Sequence, residues 1–170
     1  MPPEVPTQPE ATPRPVAPAP AGKHTAGMAT MLDRLLRLWL DPVGDGAAAQ
    51  AAFREVYADP VAVNGAAVPV SGLVERARSL QSAYEGLAIE LVDRVETPER
   101  IVVAFRMRGR HVGRLSTPLG TVAPTGRVIE ARVTDVLTVN GGRVTDIWMV
   151  SDDLGLLMQL GAVRLTTASS

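Results

Sequence analysis

One carboxylate sits where a carboxylate is expensive. Over residues 128–139 polar and apolar types alternate, and one side of the run collects Ile129, Ala131, Val133, Asp135, Leu137 and Val139. An extended chain sends every second side chain to the same face, so Asp135 is the single ionisable group in an apolar row. Burying it costs free energy unless it is hydrogen-bonded or opens onto a cavity. Burial also raises its pKa, giving a stronger base that can exchange protons with a weakly acidic carbon or oxygen. The competing use is structural, a buried link satisfied by a backbone amide or a tyrosine hydroxyl.

A second polar group follows the same logic. Ile101, Val103, Phe105, Met107 and Gly109 mark one face of another alternating run, and His111 extends that face if the strand is unbroken. An imidazole there can polarise a carbonyl or shuttle a proton; at a strand end it can equally be a surface residue. The intervening Arg106, Arg108 and Arg110 make a solvated face rather than a phosphate site. Trp148 shares alternating positions with Val144, Asp146 and Val150. Its indole offers a flat wall and one N–H donor, for core packing or for a pocket. Asp146 is a second candidate acid, close to a turn. Asn64 can bind a ligand oxygen, although Asn64-Gly65 is also a turn signal. Phe105, Met107 and Val133, on the same inward faces, would line a bound substrate.

The elements that must position these residues read clearly. Met28, Met31, Leu32, Leu35, Leu36, Trp39 and Leu40 form one apolar helical stripe. An Ala-rich helix is predicted over 47–58, burying Phe53, Val56 and Tyr57 and ended by Asp59-Pro60. A short strand follows at 61–63. Ser71 is the expected N-cap of a third helix that buries Leu73, Ala77, Leu80 and Tyr84 and stops at Gly86. The period then falls to two. Strands are predicted around Leu87–91, 101–108, 128–139 and 144–150, with a turn at Asn140-Gly141. Ser151-Asp152-Asp153 opens a short last helix. Helices first and antiparallel strands later make an α+β layout, a curved sheet wrapped around amphipathic helices.

Composition removes many alternatives. The 170 residues favour one domain with a tail. Seventeen Lys and Arg against 18 Asp and Glu give a net charge of −1, which argues against a nucleic-acid binder. There are no cysteines, so disulfides, thiolate metal sites and a Cys nucleophile are excluded. Two histidines, His24 and His111, do not make a His-rich metal site, and no metal or cofactor is expected. No apolar run reaches the roughly 18–20 residues of a membrane span. No phosphate loop, dinucleotide fingerprint or nucleophile elbow is present. Eight of the 14 prolines fall within residues 1–20. Residues 1–27 read as a disordered leader that lacks the chemistry of a secretory or transit signal. The folded domain is expected over 28–163, a flexible tail over 164–170, and a cytoplasmic location.

The C-terminal half resembles the SnoaL-like polyketide cyclase family. The residues that carry the resemblance are His111-Val112-Gly113, Pro124-Thr125-Gly126-Arg127, Val133-Thr134-Asp135-Val136-Leu137, Gly142-Arg143-Val144-Thr145-Asp146-Ile147-Trp148, and Asp152 followed by Leu156-Leu157-Met158-Gln159-Leu160-Gly161. Their order and most of their spacings match over about 101–161. The resemblance implies the cone-shaped α+β barrel shared with nuclear transport factor two, ketosteroid isomerase and limonene epoxide hydrolase. It implies that Asp135 is the acid/base of an intramolecular aldol closure, with His111 as its pocket partner and a small hydrophobic, oxygenated substrate. Homodimers are common for this fold. Two departures stand out. The segment 114–123 is longer than the family's usual loop, and Val63-Asn64 stands where relatives often carry a His. Epoxide opening with Asp135 and Asp146 as the acids, and a non-catalytic binding or dimerisation module, are the competing functions.

Overall fold

The computed structural model describes residues 30–117 and 119–164. The leader expected over 1–27 and all of the expected tail but Arg164 lie outside the described residues.

Helix α1 (Met31–Leu40) opens on a capping box in which Thr30 and Asp33 satisfy each other's backbone N–H. It buries Leu32 and Leu35. Helix α2 (Gly46–Val56) buries Ala49, Phe53 and Val56. Strand β1 (Tyr57–Val63) follows with no intervening loop. Asp59-Pro60, expected to end the helix, lies inside this strand, and its peptide bond is cis. A residue before proline is pushed out of the helical region, and here the extended backbone begins two residues earlier still. Asn64 and Gly65 both take left-handed φ, 49° and 82°, and return the chain into β2 (Ala66–Val68). That backbone is the one a two-residue hairpin turn needs.

Helix α3 (Val70–Ala83) starts one residue before Ser71, which therefore does not cap it. Asp59 does that work from β1: its Oδ1 accepts the Val70 N–H at 3.0 Å, while Arg54 Nε holds Oδ2 at 3.0 Å. Gly86 is not the helix stop either. Helix α3 hands over at Ala83 to β3 (Tyr84–Glu96), and Gly86, at φ 63°, sits in a register shift inside that strand. The strands β4 (Arg100–His111), β5 (Leu115–Thr117), β6 (Gly120–Val122), β7 (Val128–Asn140) and β8 (Arg143–Ser151) lead to helix α4 (Asp153–Leu160). The long segment 114–123 thus contains a small hairpin of its own, β5 with β6.

The main sheet runs β2-β1-β8-β7-β4-β3, antiparallel except between β1 and β8. It is an open, curved α+β sheet, with α1–α3 against one face. Its inward side chains fall into two buried clusters. One joins α1, α2, α3 and β1 to Ile101, Val103, Leu137, Val139 and Val144. The other gathers Ala83, Tyr84, Met107, Ile129, Ala131 and Leu160. Phe105 packs against both.

A one-residue irregularity decides which side chains share the concave face. Val139 pairs with Val144, but Thr138 pairs with Asp146, so Thr145 is an extra residue in β8. A single inserted residue moves everything beyond it to the opposite face. Val144 is therefore buried inside, whereas Asp146, Trp148 and Val150 point outward, with Trp148 63% exposed. The alternation that placed these three with Val144 is broken at Thr145. Ile147, Met149 and Ser151 take the inward positions instead.

Candidate active site

Asp135 occupies the middle of β7 on the concave face, opposite Val103 of β4 and Met149 of β8. The strand places it there by period two, between Val133 and Leu137. Leu137 is fully covered, while Val133 and Ser151, paired beside it, are only half covered and Met149 is 40% exposed. The carboxyl thus lies on the concave face with its Oδ1 buried, beside neighbours that are only partly covered. Two surface hollows of about 480 and 190 Å³ lie elsewhere and are not lined by Asp135.

Among the described residues, three buried side-chain polar atoms have no hydrogen-bond partner: Asp135 Oδ1, His111 Nε2 and Tyr84 Oη. Such atoms are few in native proteins and each calls for an explanation. Burial raises the Asp135 pKa to about 6 by disfavouring the charged form. Three aromatic side chains pack together on the same side of the sheet. Trp39 of α1 donates its indole N–H to Tyr57 Oη at 2.8 Å, and Phe53 stacks on Tyr57 with ring centroids 5.9 Å apart. Burial lifts the Tyr57 pKa well above its ordinary value, the Trp39 hydrogen bond lowers it by less, and the Asp135 charge raises it further. The helical stripe gave Trp39 and Tyr57 only packing roles. The signal available in the sequence was that a buried Trp or Tyr must find a partner for its polar tip.

His111 does point inward and is fully buried, as the alternation predicts. It does not join Asp135. The partner of Asp135 is Val103, so the two are eight positions apart along β4, about 26 Å of extended chain. His111 is held instead by the Pro-Thr-Gly turn. Thr125 donates its backbone N–H to Nδ1 at 3.3 Å, its Oγ1 lies 3.1 Å from the same nitrogen, and Gly126 N bonds the His111 carbonyl at 2.8 Å. A backbone N–H donating to Nδ1 leaves the ring proton on Nε2. Tyr84 packs on the ring at 5.7 Å, and burial raises its pKa to about 12. Gly113 is required because a Cβ there would strike the Ser82 carbonyl. The His-x-Gly and Pro-Thr-Gly motifs therefore form one lock between the end of α3 and the start of β7.

The remaining candidates divide. Val133 is partly buried on the concave face, Phe105 bridges the two core clusters, and Met107 is buried in the second of them. Asn64 is committed elsewhere: its amide donates to Met149 O at 3.0 Å and accepts from Met149 N at 2.8 Å, tying the β1–β2 turn to β8. Asp146 and Trp148, on the convex face, are not brought to Asp135. No group of three or more His, Asp and Glu among the described residues is placed to hold a metal ion.

Comparison with known proteins agrees with this architecture. TsrD from Streptomyces laurentii superimposes with a TM-score of 0.64 at 23% identity, covering 78% of this chain and 93% of that one. A candidate SnoaL-like polyketide cyclase from Jannaschia sp. CCS1 gives 0.60 at 18% identity, over 79% and 93% of the two chains. IdmH, a candidate polyketide cyclase from Streptomyces antibioticus, gives 0.56 at 20% identity, over 77% and 98%. No curated protein matches the sequence. At these identities the likeness speaks for the fold. A family model, SnoaL-like polyketide cyclase, matches residues 29–160, which takes in all four helices and the whole sheet, and the chain belongs to that family.

Proposed function

We propose that the protein is a cofactor-independent cyclase- or isomerase-type enzyme in which Asp135 is the acid/base on a hydrophobic, carbonyl-containing small molecule. The observation that carries this reading is the buried, unpartnered Asp135 Oδ1 in an apolar row beside the partly exposed Val133 and Met149. A carboxyl used only as a structural link would have its hydrogen bonds satisfied within the fold. With a pKa of about 6 it is deprotonated at neutral pH and still basic enough to take a proton from a carbon next to a carbonyl. Membership of a cyclase family supports the same chemistry. The epoxide-opening alternative asks for a second acid, which Asp146 on the convex face does not supply.

The test is turnover of a panel of aromatic poly-β-ketone methyl esters, followed by mass spectrometry. A general base contributes about 10²–10⁴-fold, so Asp135→Asn should lose ring closure by that factor while its circular dichroism stays unchanged. Equal turnover by the two proteins refutes the assignment.

The convex face supports a second copy of this chain as the partner. Val95, Val102, Val136 and Trp148 stand in one row across four strands of the main sheet, and Val150 lies beside it. Of these Val95, Trp148 and Val150 are about 60% exposed. The next rows carry both signs of charge, Glu90 with Arg106 and Arg108 with Glu130, so the face can meet itself across a two-fold axis. Contiguous exposed apolar surface of this kind marks an interaction site.

A further inference from the structure

Tyr57 has one hydrogen bond and needs two. Its oxygen accepts the Trp39 indole N–H at 2.8 Å, yet among the described residues its own hydroxyl proton is given to no acceptor. The ring cannot turn away to find one. Phe53 stacks on it at 5.9 Å, Trp39 sits edge-on to Phe53 at 6.2 Å, and only 1% of Tyr57 is exposed. It is the first residue of β1, two strands from β7, on the same concave side as Asp135. The Asp135 charge is felt at the phenol, but no hydrogen bond joins the two. So a donor and an acceptor on the same side of the sheet, Tyr57 O–H and Asp135 Oδ1, each lack a counterpart among the described residues. A third polar atom placed between them would satisfy both.

We infer that Tyr57 is a catalytic residue whose hydroxyl donates a hydrogen bond to the substrate carbonyl oxygen while Asp135 takes the proton from the adjacent carbon. This rests on Asp135 acting as the base. It narrows the substrate to compounds with an enolisable carbonyl, and it fills a role that neither His111 nor Trp148 is placed to fill. The Asp135 carboxylate accepts the α-proton, and the C–H electron pair becomes the enolate double bond. The carbonyl π pair moves to the oxygen, which is held by Tyr57 O–H. The phenol keeps its proton throughout. The enolate carbon then attacks a second carbonyl of the same molecule, forming the C–C bond, and the new alkoxide takes the proton from Asp135. Trp39 Nε1 withdraws density from the phenol oxygen, which strengthens the hydrogen bond Tyr57 donates.

Two readouts separate this inference from the role of Asp135. The first is hydrogen–deuterium exchange at the α-carbon of a ketone panel, followed by NMR in D2O. Losing one donor to a developing oxyanion costs about 10²–10³-fold, so Tyr57→Phe should slow exchange by that amount. The second is the infrared carbonyl band of bound, non-enolisable 13C-benzophenone. It should lie lower in wild type and in Asp135→Asn, and return toward the unbound frequency in Tyr57→Phe. Trp39→Phe leaves the phenol in place and should give a smaller band shift and less than about a tenfold loss of rate. It carries the test if Tyr57→Phe fails to fold. A band and an exchange rate that Tyr57→Phe leaves unchanged overturn the inference. Full exchange in Asp135→Asn overturns the base assignment instead.

Discussion

Moving the Asp135 carboxyl out of water penalises its charged form, and the penalty has a definite sign in pH. The folded pKa of about 6 lies above the ordinary 3.8. The folded chain therefore holds this proton more tightly than the unfolded one, and stability is lost as pH rises through the folded pKa. About two pKa units correspond to roughly 3 kcal/mol at most, and partial exposure trims this. Asp135→Asn should accordingly gain about 1–3 kcal/mol in chemical denaturation at pH 8 and almost nothing at pH 3.5. A stability difference independent of pH would show that the carboxyl is not held in apolar surroundings. Asp59 runs the other way. The Val70 N–H and then Arg54 hold its carboxyl below the usual range, so its contribution is present at neutral pH and fades in acid.

The elements are pinned by motif residues whose work is mechanical. Strand β8 pairs with β7 only from Val133 to Asn140, which leaves Glu130 without a neighbour on that edge. Gln159 of α4 takes the place of the missing strand: its Oε1 accepts the Glu130 N–H at 2.8 Å and its Nε2 donates to Glu130 O at 2.9 Å. Arg127 adds a bond to the Gln159 carbonyl at 2.8 Å, and Gly161 closes the helix at φ 73°. Gln159→Ala should cost about 1–2 kcal/mol, read by urea denaturation; an unchanged midpoint would mean α4 is held by its apolar face alone. The alternating runs for β4, β7 and β8 were legible in the sequence because period two survives wherever one face is dry. The handovers at Tyr57 and Tyr84 were not. A buried tyrosine fits either a helical stripe or the start of a strand, and the choice is made by tertiary packing. The bulge at Thr145 was invisible because one extra residue leaves the alternation intact on both sides while exchanging the faces. That is why the inward position of Asp135 was readable and Trp148 was assigned to the wrong face.

At the scale of the whole molecule, the sheet has two sides of different character. The concave side holds two buried clusters, with Asp135 in the middle of β7. The convex side carries the apolar row from Val95 to Trp148. If a second copy covers that row, Trp148→Glu should convert the species seen by sedimentation velocity from dimer to monomer. Its fold should stay intact, because Trp148 contributes little to the core of one chain. A wild-type chain that sediments as a monomer across the micromolar range would remove the proposal. Asp135 lies on the face opposite this row, so the proposed chemistry and the proposed association make no competing demand on one surface.

The central claim is that Asp135 removes a proton from carbon. It can be tested without knowing the natural substrate, by incubating the protein with simple enolisable ketones in D2O and following the loss of the α-proton signal by NMR. The wild-type protein should accelerate exchange with a rate that rises through about pH 6, and Asp135→Asn should fall by about 10²–10⁴-fold. Exchange at the same rate in the two proteins, or a wild-type rate with no inflection between pH 5 and about 7, would contradict it.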